Sequence, residues 1–181
     1  ITNDDFENPK SLESNSFDMI TGMGTFYYAE DIFDTLKKQS KKLKKGGHLV
    51  FSLRNKLFDL VTLNKYTHLF LSELYDLESF SNEIKEEFNK LFDKKNRSVK
   101  RKFKNIDESN VKSTSHNPLS IEEDLIKPLN LRLCGKYFYH YHALPPIFEH
   151  INTKVFRQRS WSLENPNSWK GNFLASGFVV H

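Results

Sequence analysis

At 181 residues, with 38% apolar, 14% aromatic and 28% charged residues, the chain reads as one soluble globular domain able to bury a sizeable core. A net charge of +4 would allow weak attraction to nucleic acid, but the excess lies in two lysine runs, Lys37 to Lys45 and Lys94 to Lys104 with Arg97 and Arg101, that carry no aromatic stripe, Phe103 being the single aromatic within them; solvated faces are the favoured reading over a nucleic-acid site. The single cysteine, Cys134, excludes an intramolecular disulfide and a cysteine-based zinc cluster, and no run of about 20 apolar residues or opening signal peptide is present, so no membrane contact and a cytoplasmic location are expected.

Phe17 to Thr21 is a short apolar run stopped by Gly22 and Gly24, the form of a parallel strand buried on both faces. From Ala29 to Lys45, Ile32, Phe33, Leu36, Ser40 and Leu43 recur at helical spacing opposite Lys37, Lys38, Lys41 and Lys42. Gly46 and Gly47 are expected to end that helix, one of them in the left-handed cap conformation, before a second buried strand from His48 to Leu53. Strand, helix and strand at this length make a βαβ unit, with ligands expected beyond the carboxyl ends of the strands, at Gly22 to Tyr28 and Arg54 to Leu57.

Residues 56–117 read as a helical insertion followed by a polar loop from Asn105 to Asn117. Helix is expected to resume at Ser120, with Ser120 and Glu123 as a capping box and Pro128 as its kink or end. Leu131 to His142 and Phe173 to His181 are β-prone; with no helix of useful length expected between them, they should pair antiparallel. The fold class is α/β, a partial Rossmann-like sheet of parallel strands with an antiparallel carboxyl-terminal pair and a helical insertion.

Three stretches together carry a family resemblance: Ser16-Phe17-Asp18-Met19-Ile20, Gly-Met-Gly-Thr-Phe-Tyr-Tyr-Ala-Glu-Asp at 22–31, and Leu43-Lys44-Lys45-Gly46-Gly47-His48-Leu49-Val50. They resemble the middle of a class I S-adenosylmethionine-dependent methyltransferase, from its fourth strand onward, with Lys45 where proline is commonest. The chain opens at Ile1 without Met, so it is expected to lack the family's earlier strands and glycine-rich loop. The resemblance implies S-adenosylmethionine as cofactor. Asp5 would accept from the adenine amino group and the Phe6 N–H would donate to the ring, against the alternative of an acidic loop. Gly22, Met23 and Gly24 would run close to the sulfonium end, against the alternative of a simple strand-ending turn.

Methyl transfer is an in-line displacement, so the protein must align donor and acceptor and take a proton if the acceptor is a hydroxyl. His140 and His142 should share one face of a strand and are the candidate bases, with structural histidine as the alternative; no acid at matching spacing completes a metal site. Arg54 and Asn55 could orient a polar acceptor, although Asn55 could instead cap a helix. Tyr27 either lines the acceptor pocket or packs under the helix. Tyr66, Thr67 and His68 could close over the substrate or form a surface patch, and Trp161 and Trp169 are expected to pack on the sheet edge. The reading is a methyltransferase acting on a small molecule; a catalytically inactive methyltransferase-like scaffold is the alternative, and an RNA methyltransferase is less favoured.

Overall fold

The computed structural model describes residues 3–100 and 113–181. Strand β1 (Phe17–Gly22) runs parallel to β2 (Leu43–Asn55), joined by a 3-10 turn at Phe26–Tyr28 and helix α1 (Ile32–Ser40). Asp31 caps α1 through its side chain, which accepts from the Asp34 N–H, and buries Leu36 against the sheet. The expected βαβ unit is therefore present, with two corrections. The helix stops at Ser40, not at the glycines, and Leu43 onward is already strand. Gly46 does take a left-handed φ of +81°, but within β2: pairing jumps from Phe17↔Leu43 to Met19↔His48, so the Lys44–Gly47 stretch bulges out of the ladder.

The sheet has the order β1-β2-β5-β4, where β4 is Lys136–Tyr141 and β5 is Ala175–Val180. The last strand in sequence lies between β2 and β4, antiparallel to both. Register puts Leu49, Phe51, Leu53, Phe178, Val180 and Phe138 on one face, where they meet α1 and the segment Ile121 to Leu129 in the core. The other face is open at the sheet's edges, where Met19 of β1 is 54% exposed and Tyr137 of β4 41%, and covered at its centre, where Ser52 is buried. β1 is thus an edge strand covered on one side among the described residues, contrary to the doubly covered strand its apolar sequence predicts.

After β2 a 3-10 stretch (Lys56–Val61) leads to α2 (Lys65–Leu74) and α3 (Asn82–Lys100), so the insertion is helical as far as it is described. Positions 101–112, which hold Arg101 and most of the expected polar loop, lie outside the described residues. The loop's end instead supplies β3 (Ser115–His116), which pairs parallel with Arg54 and Asn55 beyond the point where β1 leaves β2. The Ser120–Glu123 capping box does not form: Ser120 Oγ donates to Asp124, Glu123 pairs with Lys127, and a π-helical turn (Glu122–Ile126) runs into a 3-10 turn ending at Leu129, just past Pro128. A ten-residue helix, α4 (Thr153–Ser162), and a short one, α5 (Gly171–Leu174), also lie between β4 and β5. The pair is antiparallel all the same, because α4 packs back beside β4 and the chain returns through Asn165 to Lys170.

The joint between these parts is Asn55, 2% exposed at the end of β2. Its Nδ2 donates to the carbonyls of Gly171 (3.1 Å), Asn172 (2.9 Å) and Ala175 (2.7 Å), and its Oδ1 accepts from Leu57 N–H (3.0 Å). One amide ties the mouth of β2 to α5, to the start of β5 and to the first turn of the insertion. Asn55→Ala should lower stability in urea titration by about 2–4 kcal/mol, since buried backbone groups lose their partners. Asn55→Asp should cost more, because a carboxylate would face three carbonyl oxygens; an Asp variant as stable as wild type would refute this role.

Candidate functional site at the mouth of the parallel strands

A cavity of about 400 Å³ opens at the carboxyl ends of β1 and β2. Its walls come from six segments: Tyr27 and Tyr28 after β1, Leu53 to Asn55 closing β2, Phe58 to Tyr66 of the insertion, Tyr139 and His140 of β4, Pro146 beyond β4, and Ser176 and Gly177 of β5. Antiparallel insertion of β5 makes this convergence possible, bringing the start of β5 and the end of β4 to the edge where the parallel strands end.

Arg54 is the cation of the site. It donates to Ser113 Oγ and its guanidinium lies 5.8 Å from the Tyr66 ring centroid, a stacked placement that leaves part of the donor fork for a ligand. Asp59 is the acid. Burial holds its carboxyl above the ordinary range, while the Arg54 charge and the Ser115 hydroxyl pull the other way. Tyr27 packs on Tyr28 with ring centroids 4.4 Å apart, and burial raises its phenol, with Tyr28 adding to the effect. His140 faces the cavity from a left-handed backbone, φ +57°; this reverses the strand's alternation, so Phe138 and Tyr141 both point into the core.

Of the acceptor-side residues expected from sequence, Tyr27, Arg54 and His140 meet here. Asn55 lines the cavity too, but its side chain is fully committed to the joint described above, so the capping role holds in place of acceptor orientation. His142 does not share the cavity with His140. Strand β4 ends at Tyr141, and the His142 ring packs against Phe58 (4.7 Å between centroids) and Phe156 (5.9 Å). Its Nδ1 is buried without a hydrogen-bond partner among the described residues, and burial depresses its basicity. Tyr66 lines the cavity, whereas Thr67 is buried in bonds to Thr62, Leu63 and Asp59, and His68 bonds Asn89. Trp161 and Trp169 are exposed rather than packed on the edge.

The expected cofactor residues lie to one side of the cavity. Phe6 packs on Phe26 with centroids 6.0 Å apart, next to the Tyr27–Tyr28 wall. Asp5 is exposed and one of its carboxylate oxygens accepts from Glu7 N–H (2.9 Å); the other oxygen and the Phe6 N–H have no partner among the described residues. Gly22 is closed by packing, since a Cβ there would fall 2.2 Å from the Phe26 ring. Gly24 has φ +73° and its N–H donates to Ser52 Oγ (2.7 Å), while Met23 is exposed. These residues fit the turn reading directly.

Asp59 and Tyr139 were not singled out from sequence. Asp59 carried a signal: it is a lone acid in the apolar run Leu57-Phe58-Asp59-Leu60-Val61, directly after the strand mouth. Among the described residues no group of three or more His, Cys, Asp or Glu could hold a metal, and no helix is long and apolar enough to cross a membrane.

The molecule is thus a mixed α/β sheet protein with a polar, tyrosine-lined cavity at the mouth of its parallel pair. No protein-family model and no curated protein sequence matches it. Among solved structures it is similar to a chain in the complex between the Haloferax volcanii Trm112 methyltransferase activator and a candidate methyltransferase, with a TM-score of 0.47 and 15% identity over 97% of this chain. The alignment spans 57% of that chain.

Burial of His142 and His116 makes a prediction about acid. Both are held below the ordinary value of 6.5, desolvation being the leading cause. A folded state that binds these protons less readily than the unfolded chain loses stability as pH falls below about 6.5. The urea midpoint should therefore drop between pH 7.5 and 5.5, and His142→Phe should flatten that dependence without loss of stability at pH 7.5. An undiminished slope in that variant would show that His142 is not the group responsible.

Proposed function

We propose that this domain is the acceptor-binding side of an S-adenosylmethionine-dependent methyltransferase acting on a small molecule. The observation that carries the reading is the convergence of Arg54, Asp59, Tyr27 and His140 in one cavity at the carboxyl ends of a parallel strand pair, the place where open α/β sheets bind ligands. The motif resemblance from Phe17 to Val50 supports the choice of cofactor.

S-adenosylmethionine, when bound, supplies an electrophilic methyl group. The protein's share is binding, alignment and proton removal. Asp5 and the Phe6 N–H would take the adenine edge, beside the turn that carries Tyr27. Arg54 would orient a polar acceptor by charge-assisted hydrogen bonds. Asp59, whose raised carboxyl lies nearer to a working pH than that of an exposed acid, and His140 are the groups able to accept the acceptor's proton. The stacked tyrosines limit water and favour a flat or ring-bearing head group.

A scaffold without catalysis is the second reading, favoured by the commitment of Gly24 N–H to Ser52 Oγ beside the expected sulfonium position. Calorimetric titration of S-adenosylmethionine into the intact protein separates the two. Measurable binding, weakened about tenfold or more by Asp5→Ala, is the outcome expected of the enzyme; no binding leaves the scaffold. With a panel of small phenols and hydroxy acids as acceptors, Asp59→Asn and His140→Ala should together lower turnover by about 10²-fold or more. Cofactor affinity should stay as in wild type. His142→Phe should leave turnover within about threefold, as befits a ring packed between Phe58 and Phe156 outside the cavity, and a collapse of turnover there would restore His142 as a base.

A further inference from the structure

A second cavity of about 470 Å³, mainly apolar with Asn152, Arg159 and Ser162 among its walls, runs along α4. Leu144, Phe148, Ile151, Val155, Phe156 and Leu163 line it. It is open to water at a cost, since Ile151 is 70% exposed and Val155 50%. Exposed aliphatic side chains facing one trough are what an apolar ligand site presents when empty of its chain.

The trough adjoins the polar cavity through shared structure. Pro146 lines the polar cavity and Phe148 the trough, and both belong to one 3-10 turn (Pro146–Phe148). His142 forms the partition: its ring packs on Phe58, which lines the polar cavity, and on Phe156, which lines the trough. Pro145 and Pro146 hold the rim between them in fixed φ. Polar groups able to bind a head thus stand next to an apolar channel, with one ring and one rigid turn between.

We propose that the trough receives the apolar chain of the same acceptor whose polar head occupies the cavity at the strand mouth, so that the acceptor is an amphiphile: a ring-bearing, hydroxylated head on a hydrocarbon chain. This rests on the methyltransferase reading for the head's chemistry. The chain passes over the Pro145–Pro146 rim, and the head meets Arg54 and Tyr66. His142 supports the rim from beneath, as an uncharged ring between two phenylalanines.

Ethyl and octyl 4-hydroxybenzoate test this in calorimetric titrations of the intact protein, because they share a phenolic head and differ by six methylenes. A buried methylene tightens binding about fourfold, and with a trough open on one side the octyl ester should bind at least about thirtyfold more tightly than the ethyl ester. Val155→Asp and, independently, Ile151→Asp should bring octyl affinity to within about threefold of ethyl, with thermal melts checking that each variant is folded. Arg54→Ala should weaken both esters about tenfold. Equal affinities, failure of both esters to bind, an octyl preference that survives both aspartates, or octyl binding indifferent to Arg54→Ala would each overturn the proposal. So would a dimer in sedimentation velocity that Ile151→Asp dissociates, because the trough would then be covered by a second copy. A parallel S-adenosylmethionine titration keeps the two readings apart. Octyl preference without cofactor binding would sink the methyltransferase and keep the amphiphile site, whereas cofactor binding with no effect of chain length would sink only the amphiphile.

Discussion

The structure depends on how the end of β2 is held. A strand that stops in the middle of a sheet leaves backbone groups to be satisfied, and the segments that converge there must be fixed against one another before any cavity between them has a shape. The Asn55 carboxamide does both, donating to three carbonyls of the chain entering β5 and accepting from the first N–H of the insertion. Arg54, one residue earlier, points to the other side of the sheet and is left to the cavity. Neighbouring positions on a strand face opposite ways, so one residue serves the fold and the next serves the site.

Much of this was legible in the sequence where local rules govern. The apolar run of Phe17 to Thr21, the helical period of Ile32, Phe33 and Leu36, and the β-prone stretches around Phe138 and Phe178 each form the element expected, in the expected parallel and antiparallel sense. Errors fall where tertiary contact overrides a local rule. Gly46 has the positive φ that a helix cap would need, yet it sits in a bulge, because pairing with β1 draws Leu43 into the sheet three residues after α1 ends. The alternation that put His140 and His142 on one face fails because His140 itself is left-handed. Asn55 could be read as cap or as ligand, and only the fold brings the Gly171–Ala175 carbonyls within reach. The site was half legible for the same reason: Tyr27, Arg54 and His140 stand at ends of predictable strands, while Asp59 reaches the cavity through a 3-10 turn that periodicity does not reveal.

The charge pattern narrows what the cavity is for. Some of the lysines that make the chain basic pair with surface carboxylates among the described residues: Lys38 with Asp34, Lys44 with Asp18, Lys85 with Glu78 and Lys127 with Glu123. Such exposed pairs contribute little to stability. Arg54 differs from them in being partly buried, stacked on an aromatic ring and placed against a carboxyl that burial makes reluctant to ionise. The one strongly placed cation of this sheet mouth therefore faces a confined cavity instead of an open surface. On the proposed reading, this cation, in a cavity it shares with Tyr27, Tyr28, Tyr66, Tyr139, Asp59 and His140, would select by the shape and polarity of a small head group. On the same reading, an apolar chain beyond that head would leave over the Pro145–Pro146 rim, because Pro146 lines the polar cavity and Phe148 of the same turn lines the trough along α4.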